Sequence, residues 1–433
     1  MASGDDNSVY VEPAMGLEGD VGVPGDKSLS HRALLFGALA DGRSEIRRFG
    51  SSADTLSTAS VLRQLGVEVN VDGDQASVEG VGVRGLRAPH EPLDCGNAGT
   101  LIRLIAGLLA GQEGTFELIG DESLSRRPFE RVAEPLRRMG AQIETTDGCP
   151  PVTVVGRALE AITYELPVAS AQVKSSVLLA GLLTDSGPTE VHEPRPTRDH
   201  TERMLAAAGA RVAFGPGRAA VWPTAALRPL SYEIPGDFSS AAPLLAAGVL
   251  MPSSRVRVHG VGVNPTRTGF LAVLERMGAR VSVFNRASVA GEPVADIEVS
   301  SSELTATSIG PSEVPLLIDE LPLFALVAGL SRGESVVWGA EELRVKESDR
   351  IATTTRAMRA TGVHIEERPD GFSVRGVPTR PRGGHVVSGG DHRIAMIGAL
   401  AGLLSRDGVR VEGAEWVKVS YPGFFDVLDS LRS

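Results

Sequence analysis

Apolar positions along the chain fall into two alternating helical patterns. The first is a stretch rich in small apolar residues that starts on polar residues and stops at a turn. Its copies read SLSHRALLFGALADG, NAGTLIRLIAGLLAG, SAQVKSSVLLAGLLTDSG, DFSSAAPLLAAGVLMP, DELPLFALVAGLSRG and DHRIAMIGALAGLLSRDG. They start at Ser28, Asn97, Ser170, Asp237, Asp319 and Asp391, 67–82 residues apart. A helix that is apolar all round is packed on every side. The second pattern is a helix that ends in Gly and runs into alternating residues, as in LRQLGVEVNV around Gly66. Matching joints surround Gly140, Gly209, Gly278 and Gly362. Gly just past a helix suits the left-handed cap, and the alternation after it reads as a half-exposed strand. The pattern predicts an α/β chain of six strand–helix–strand–helix units, the last cut short at the helix FFDVLDSL.

Composition narrows the class. A chain of 433 residues, 42% hydrophobic, favours two or three domains over one. Its net charge of −11 and 4% aromatic content argue against a nucleic-acid partner. Two cysteines, Cys95 and Cys149, build no disulfide framework and suit a reducing compartment. Apolar stretches are interrupted too soon to span a bilayer. The N-terminus lacks the cationic and apolar regions of a signal peptide, so a cytoplasmic protein is expected. Two motifs are decoys. GDKS at Gly25–Ser28 lacks the glycine that a P-loop needs directly before its Lys, and prolines follow Gly80–Gly85 where a dinucleotide fold needs a helix. The eight histidines show no paired helical spacing, so no metal is expected.

Candidate chemistry collects at the starts of the first-type helices, whose unpaired N–H groups and dipole favour anions. Lys27 and Ser28 open the first, with Arg32 one turn on. Gly96 and Gly99 allow backbone amides close to a ligand, and Arg103 follows. Cys95 reads as a buried small residue. Arg126-Arg127-Pro128 is expected to open another helix with Pro at its first position. Glu347 and Arg350 are three apart and are expected on one helical face, and Asp391 is expected as an N-cap.

These residues carry a resemblance. VPGDKSLSHRAL, DCGNAGTLIR, RRPFERVAEPLRRMGA, SAQVKSSVLLAGL, RVKESDRI, GGDHRIAMIGAL and KVSYPGFFDVL are similar, in order and from about Val21 to Leu431, to the 5-enolpyruvylshikimate-3-phosphate synthase family. The resemblance implies a two-domain inside-out α/β barrel of six repeated βαβαββ-like units, three per domain. Residues 1–22 plus 236–433 would form one domain and 23–235 the other, with the active site in the cleft between them. It implies transfer of the enolpyruvyl group of phosphoenolpyruvate to the 5-hydroxyl of shikimate 3-phosphate, with release of phosphate, and no cofactor. The partners would be those two small molecules, with no nucleic acid and no membrane, and the protein a monomer.

Site roles follow from the same resemblance. Lys27, Ser28, Arg32, Ser170, Gln172, Arg198, Asp319 and Lys346 would hold shikimate 3-phosphate. Lys27, Gly99, Arg127, Gln172, Arg350, Arg393 and Lys418 would hold phosphoenolpyruvate. Asp319 would be the base on the 5-hydroxyl, Glu347 the acid at the methylene carbon, and Lys27 a further catalytic group. Arg103 and Lys174 join the expected cations of the cleft, and Asp391 its carboxylates. The two substrates together bring roughly −5 to −6 of charge, which such a set would balance. Ala171 stands where many members carry a second Ser, and Leu104 where a Pro often follows. The rival transferase acting on UDP-N-acetylglucosamine typically shows Lys-Asn-Ala near its N-terminus and a loop Cys, where this chain has Asp26-Lys27-Ser28. A non-catalytic scaffold would not gather cations, and an RNA-processing enzyme would need a basic surface.

Overall fold

The computed structural model describes residues 7–185 and 187–432. Among these residues six small sheets alternate with helices. One sheet shows the common plan. Leu93–Asp94 leads through the helix Gly99–Leu109 to a parallel neighbour, Thr115–Ile119. The helix Glu130–Arg138 then leads to the hairpin Gln142–Thr146 and Cys149–Val155, whose second strand pairs antiparallel with Thr115–Ile119. A helical crossover between parallel strands and a tight connection between antiparallel ones are what these pairings require.

Three sheets complete themselves with strands from elsewhere in the chain. Ser231–Glu233 pairs parallel with Arg43–Arg47 as the first strand of the Lys27 unit. Glu18–Gly22 does the same for the unit of the helix Phe238–Leu250, pairing with Arg255–Gly262. In the last sheet Ser8–Val11 pairs antiparallel with Val409–Glu412, where the other sheets carry a hairpin strand.

The chain divides into two compact units. One holds residues up to Val23, Gly236–Ala287 and Val294 onward. The other holds Pro24–Pro235 together with Ser288–Pro293. Each has its own apolar core built on the first-type helices. In Lys27–Leu39 every side chain from Leu29 onward is buried. Such helices are insulated from water on all sides, which explains their lack of a polar face. All five glycines that end second-type helices adopt positive φ, between 88° at Gly66 and 101° at Gly140. An L side chain would be strained there, which is why the repeat is legible in the sequence.

Asp26 caps the first helix, accepting the Leu29 N–H at 2.8 Å. Two local expectations need correction. Pro128 is not the first residue of a helix. It lies before the N-cap Phe129 of Glu130–Arg138, after a short 3-10 turn at Leu124–Arg126. A proline biases its predecessor away from the helical region, and Arg127 is extended with ψ 134°. Glu347 is not helical either, because the capping carboxylate of Asp349 starts the helix at Arg350.

Candidate active site

Within the unit of Pro24–Pro235, the helix starts form a connected cationic group. The Arg32 guanidinium is 3% exposed. Its Nε donates to Thr201 Oγ1 at 2.7 Å, Nη1 to the Ser28 carbonyl at 3.0 Å and Nη2 to Ser175 Oγ at 3.0 Å. All three acceptors are neutral. Burial pulls this guanidinium down to about 10, although Glu202, Asp26 and Glu292 pull the other way. A buried cation bonded only to neutral oxygens is poorly compensated, and an anion would relieve that cost.

The Ala171–Gly181 helix ties this point to the next. Ser170 caps it, accepting the Val173 N–H, and Gln172 lies on its first turn. Gln172 Oε1 accepts from Arg103 Nη1 at 2.8 Å, and its amide donates to Thr100 Oγ1 at 3.0 Å. Gly99 opens the neighbouring helix, which has no side-chain cap. A methyl group on Gly99 would stand 2.8 Å from Arg103 Nη1 and 3.1 Å from Arg127 Nη1. Two guanidiniums therefore flank a bare helix N-terminus, an arrangement suited to phosphate or carboxylate. Arg127 also donates to Asn97 Oδ1 at 2.6 Å.

Other residues of this unit play different parts. Lys27 pairs with Asp54 at 2.8 Å. Lys174, counted among the cleft cations from sequence, is 2% exposed and lies between Glu202 at 2.8 Å and Glu193 at 3.1 Å. Burial disfavours its charge, but the two carboxylates outweigh that and hold it protonated. Its charge is thus spent inside the protein, where Glu193 also holds Thr197, the residue before Arg198. Cys95 is buried and burial raises its thiol far above neutrality, so it is no nucleophile.

The other unit carries a carboxylate group organised by one arginine. Arg350, 1% exposed, meets Glu347 at 2.6 Å, Asp391 at 2.8 Å and Asp319 at 3.3 Å. Burial opposes its charge, yet Asp391, Glu347 and Asp319 together hold it more firmly protonated than usual. Asp391, fully buried, would be raised by burial, but Arg350 outweighs this and holds it low. Asp391 also caps the His392–Leu404 helix, accepting the Arg393 N–H at 2.9 Å. Arg393 approaches Asp319 and Glu320, each at 3.7 Å, and donates to Ser239 Oγ at 3.1 Å. Asp319 is therefore held by two arginines.

Sequence reasoning did not find several supporting groups. Glu320 is buried beside Asp319 and takes Arg267 at 2.8 Å and the Ser239 hydroxyl at 2.5 Å. Ser175, Thr201 and Asp54 are the counterparts in the first group. Ser239, Thr201 and Asp54 each stand second in a helix, a signal that was available, whereas Ser175 lies inside a helix and Glu320 in a 3-10 turn. The structure brings Asp319, Glu347, Arg350 and Arg393 together in this unit, and Arg32, Gln172, Gly99 and Arg127 together in the other. Lys346 is half-buried after the 3-10 turn Glu341–Val345. Lys418 is exposed on the turn Ala414–Val419, lining a depression of 340 Å³ with Tyr421 and Phe424. Among the described residues no group of three or more His, Cys, Asp or Glu side chains could hold a metal ion. Nor, among the described residues, is any helix long and apolar enough to cross a membrane.

Comparison with known proteins identifies the family. The family model described as EPSP synthase (3-phosphoshikimate 1-carboxyvinyltransferase) matches residues 11–428. A 3-phosphoshikimate 1-carboxyvinyltransferase of Xanthomonas campestris pv. campestris is 50% identical over 411 residues, covering 94% of this chain and 93% of the relative. One from Syntrophomonas wolfei is 46% identical, covering 96% and 98%. A solved structure of EPSP synthase from Acinetobacter baumannii is 40% identical with a TM-score of 0.88, covering 98% of both chains. The enolpyruvyl transferase NikO from Streptomyces tendae, 19% identical with a TM-score of 0.78, shares the fold. The chain belongs to the EPSP synthase (3-phosphoshikimate 1-carboxyvinyltransferase) family.

Proposed function

We propose that this protein transfers the enolpyruvyl group of phosphoenolpyruvate to the 5-hydroxyl of shikimate 3-phosphate, and that both residue groups take part in holding and converting the substrates. It would do so as a cytoplasmic monomer without metal or organic cofactor. The observation that carries the reading is the pairing of two carboxylates, Asp319 and Glu347, on the single guanidinium of Arg350. The chemistry needs one proton given to carbon and one taken from a hydroxyl, and a neighbouring pair of carboxyls can divide those tasks.

In this reading Arg32, Ser28, Ser170, Gln172, Arg198 and Lys346 hold shikimate 3-phosphate. Arg127, Gly99, Gln172, Arg350, Arg393 and Lys418 hold phosphoenolpyruvate, and Lys27 serves both. Glu347 protonates the methylene carbon while the 5-oxygen bonds to the carbon that bears the phosphate. Asp319 takes the hydroxyl proton. Loss of a proton from the new methyl group then expels phosphate and restores the double bond. The cations stabilise charge on both phosphates and both carboxylates throughout.

Mixing the purified protein with phosphoenolpyruvate and shikimate 3-phosphate tests this reading. Phosphate release with that acceptor, and none with UDP-N-acetylglucosamine, is expected. Release only with the nucleotide sugar, or with neither, would overturn it.

A further inference from the structure

The chain returns to the Pro24–Pro235 unit at Ser288–Pro293, the turn between the long strands Arg280–Val289 and Glu292–Ser300. Val289 and Ala290 pack against that unit's core, and Arg203 Nη1 donates to the Gly291 carbonyl at 2.9 Å. The turn also delivers a carboxylate. Glu292 is 1% exposed and meets His200 Nδ1 at 2.9 Å. Burying a carboxylate is costly unless it is partnered, so the site has been built around this contact.

His200 is the first residue of the helix His200–Ala207. Its neighbour Thr201 is fully buried, accepts from Arg32 Nε and shares a hydrogen bond of 2.7 Å with Ser175 Oγ. Ser175 in turn accepts from Arg32 Nη2. The start of this short helix therefore fixes two of the three bonds that aim the Arg32 guanidinium. Glu292 also acts on Arg32 by charge, favouring its protonated form without a direct ion pair that would compete with a bound anion.

We propose that Glu292 is a positioning residue for the shikimate 3-phosphate site, setting His200 and, through Thr201, the orientation of Arg32. The proposal rests on the reading of Arg32 as a contact of that substrate. Glu292 lies outside the regular repeat of helix starts and more than 250 residues from Arg32, so no motif signals it.

Calorimetric titration of the full chain with shikimate 3-phosphate, in the absence of phosphoenolpyruvate, tests it. Glu292→Ala is expected to raise Kd about tenfold, the scale of one buried hydrogen bond. Glu292→Gln keeps an oxygen for His200 and is expected to stay within about threefold of the original. Turnover at saturating substrates should be retained in both, so the effect falls on KM for shikimate 3-phosphate. Glu298→Ala, on the same hairpin but paired with Arg255 and Arg257, serves as a control and should bind normally. Unchanged binding by Glu292→Ala would overturn the proposal. So would equal losses in the Ala and Gln variants that track a lowered melting temperature, the mark of a merely structural role. If the unsubstituted protein binds no shikimate 3-phosphate, the functional reading itself falls, an outcome distinct from both.

Discussion

Two carboxylates and one imidazole carry the chemistry that can be tested one residue at a time. Asp319 and Glu347 each touch Arg350, so neutral isosteres keep the packing and remove only charge and proton transfer. Asp319→Asn and Glu347→Gln should each lose on the order of 10²–10⁴ in turnover with an unchanged circular dichroism spectrum. Near-normal turnover in either would remove that residue from the mechanism. His31 governs stability instead. It is fully buried against Thr58 Oγ1 at 2.6 Å, and burial, with Lys27 and Arg32 alongside, lowers it to about 3 against the pull of Asp54. The unfolded chain protonates this imidazole near its ordinary value of 6.5. Between those two values the unfolded state holds the extra proton, so stability is lost as pH falls through 6.5 toward 3. From pH 7.5 to 5 the protein should lose about 2 kcal/mol more in urea unfolding than His31→Asn does. Parallel pH profiles would show that His31 is not buried neutral.

At the scale of elements, the decisive feature is how a helix start is furnished. The Gly99–Leu109 helix begins without a side-chain cap and has two guanidiniums against its first residue. Gly99→Ala would push a methyl group against Arg103 and Arg127, displacing Arg127, a donor assigned to phosphoenolpyruvate. Steady-state kinetics should show KM for phosphoenolpyruvate raised on the order of tenfold, with a smaller change for shikimate 3-phosphate. Equal changes for both substrates would contradict the assignment of this helix start. Element-level features were also the most legible in the sequence. The glycines after the second-type helices announce themselves because only positive φ explains their spacing, and Asp391 is a cap wherever a polar residue precedes an apolar run. Glu347 was misplaced onto a helix because the i,i+3 rule fits a turn as well. Its 2.6 Å contact with Arg350 forms regardless. Lys174 was counted as a ligand cation because its burial between Glu193 and Glu202 depends on two side chains that come later in the chain.

For the whole molecule, the chain order is the informative fact. Glu18–Gly22 belongs to the unit of Phe238–Leu250, and Ser231–Glu233 to the unit of Lys27–Leu39. The strands exchanged at Val23–Pro24 and Pro235–Gly236 leave each unit with three repeats and its own core. Partners such as Ser175, Arg267 and Glu320 were invisible in the sequence because tertiary pairing at long separation leaves no periodic trace. The substrates assigned to these cations are polyanions, and binding them would remove the repulsion among the cations. Small-angle scattering should therefore show compaction when shikimate 3-phosphate is added, and an unchanged profile would count against closure on binding. The most direct measurement is a crystal structure of the protein with shikimate 3-phosphate bound. It should place the phosphate on Arg32 and Ser170 and the 5-hydroxyl within hydrogen-bond reach of Asp319. A ligand touching residues of only one unit would contradict the account.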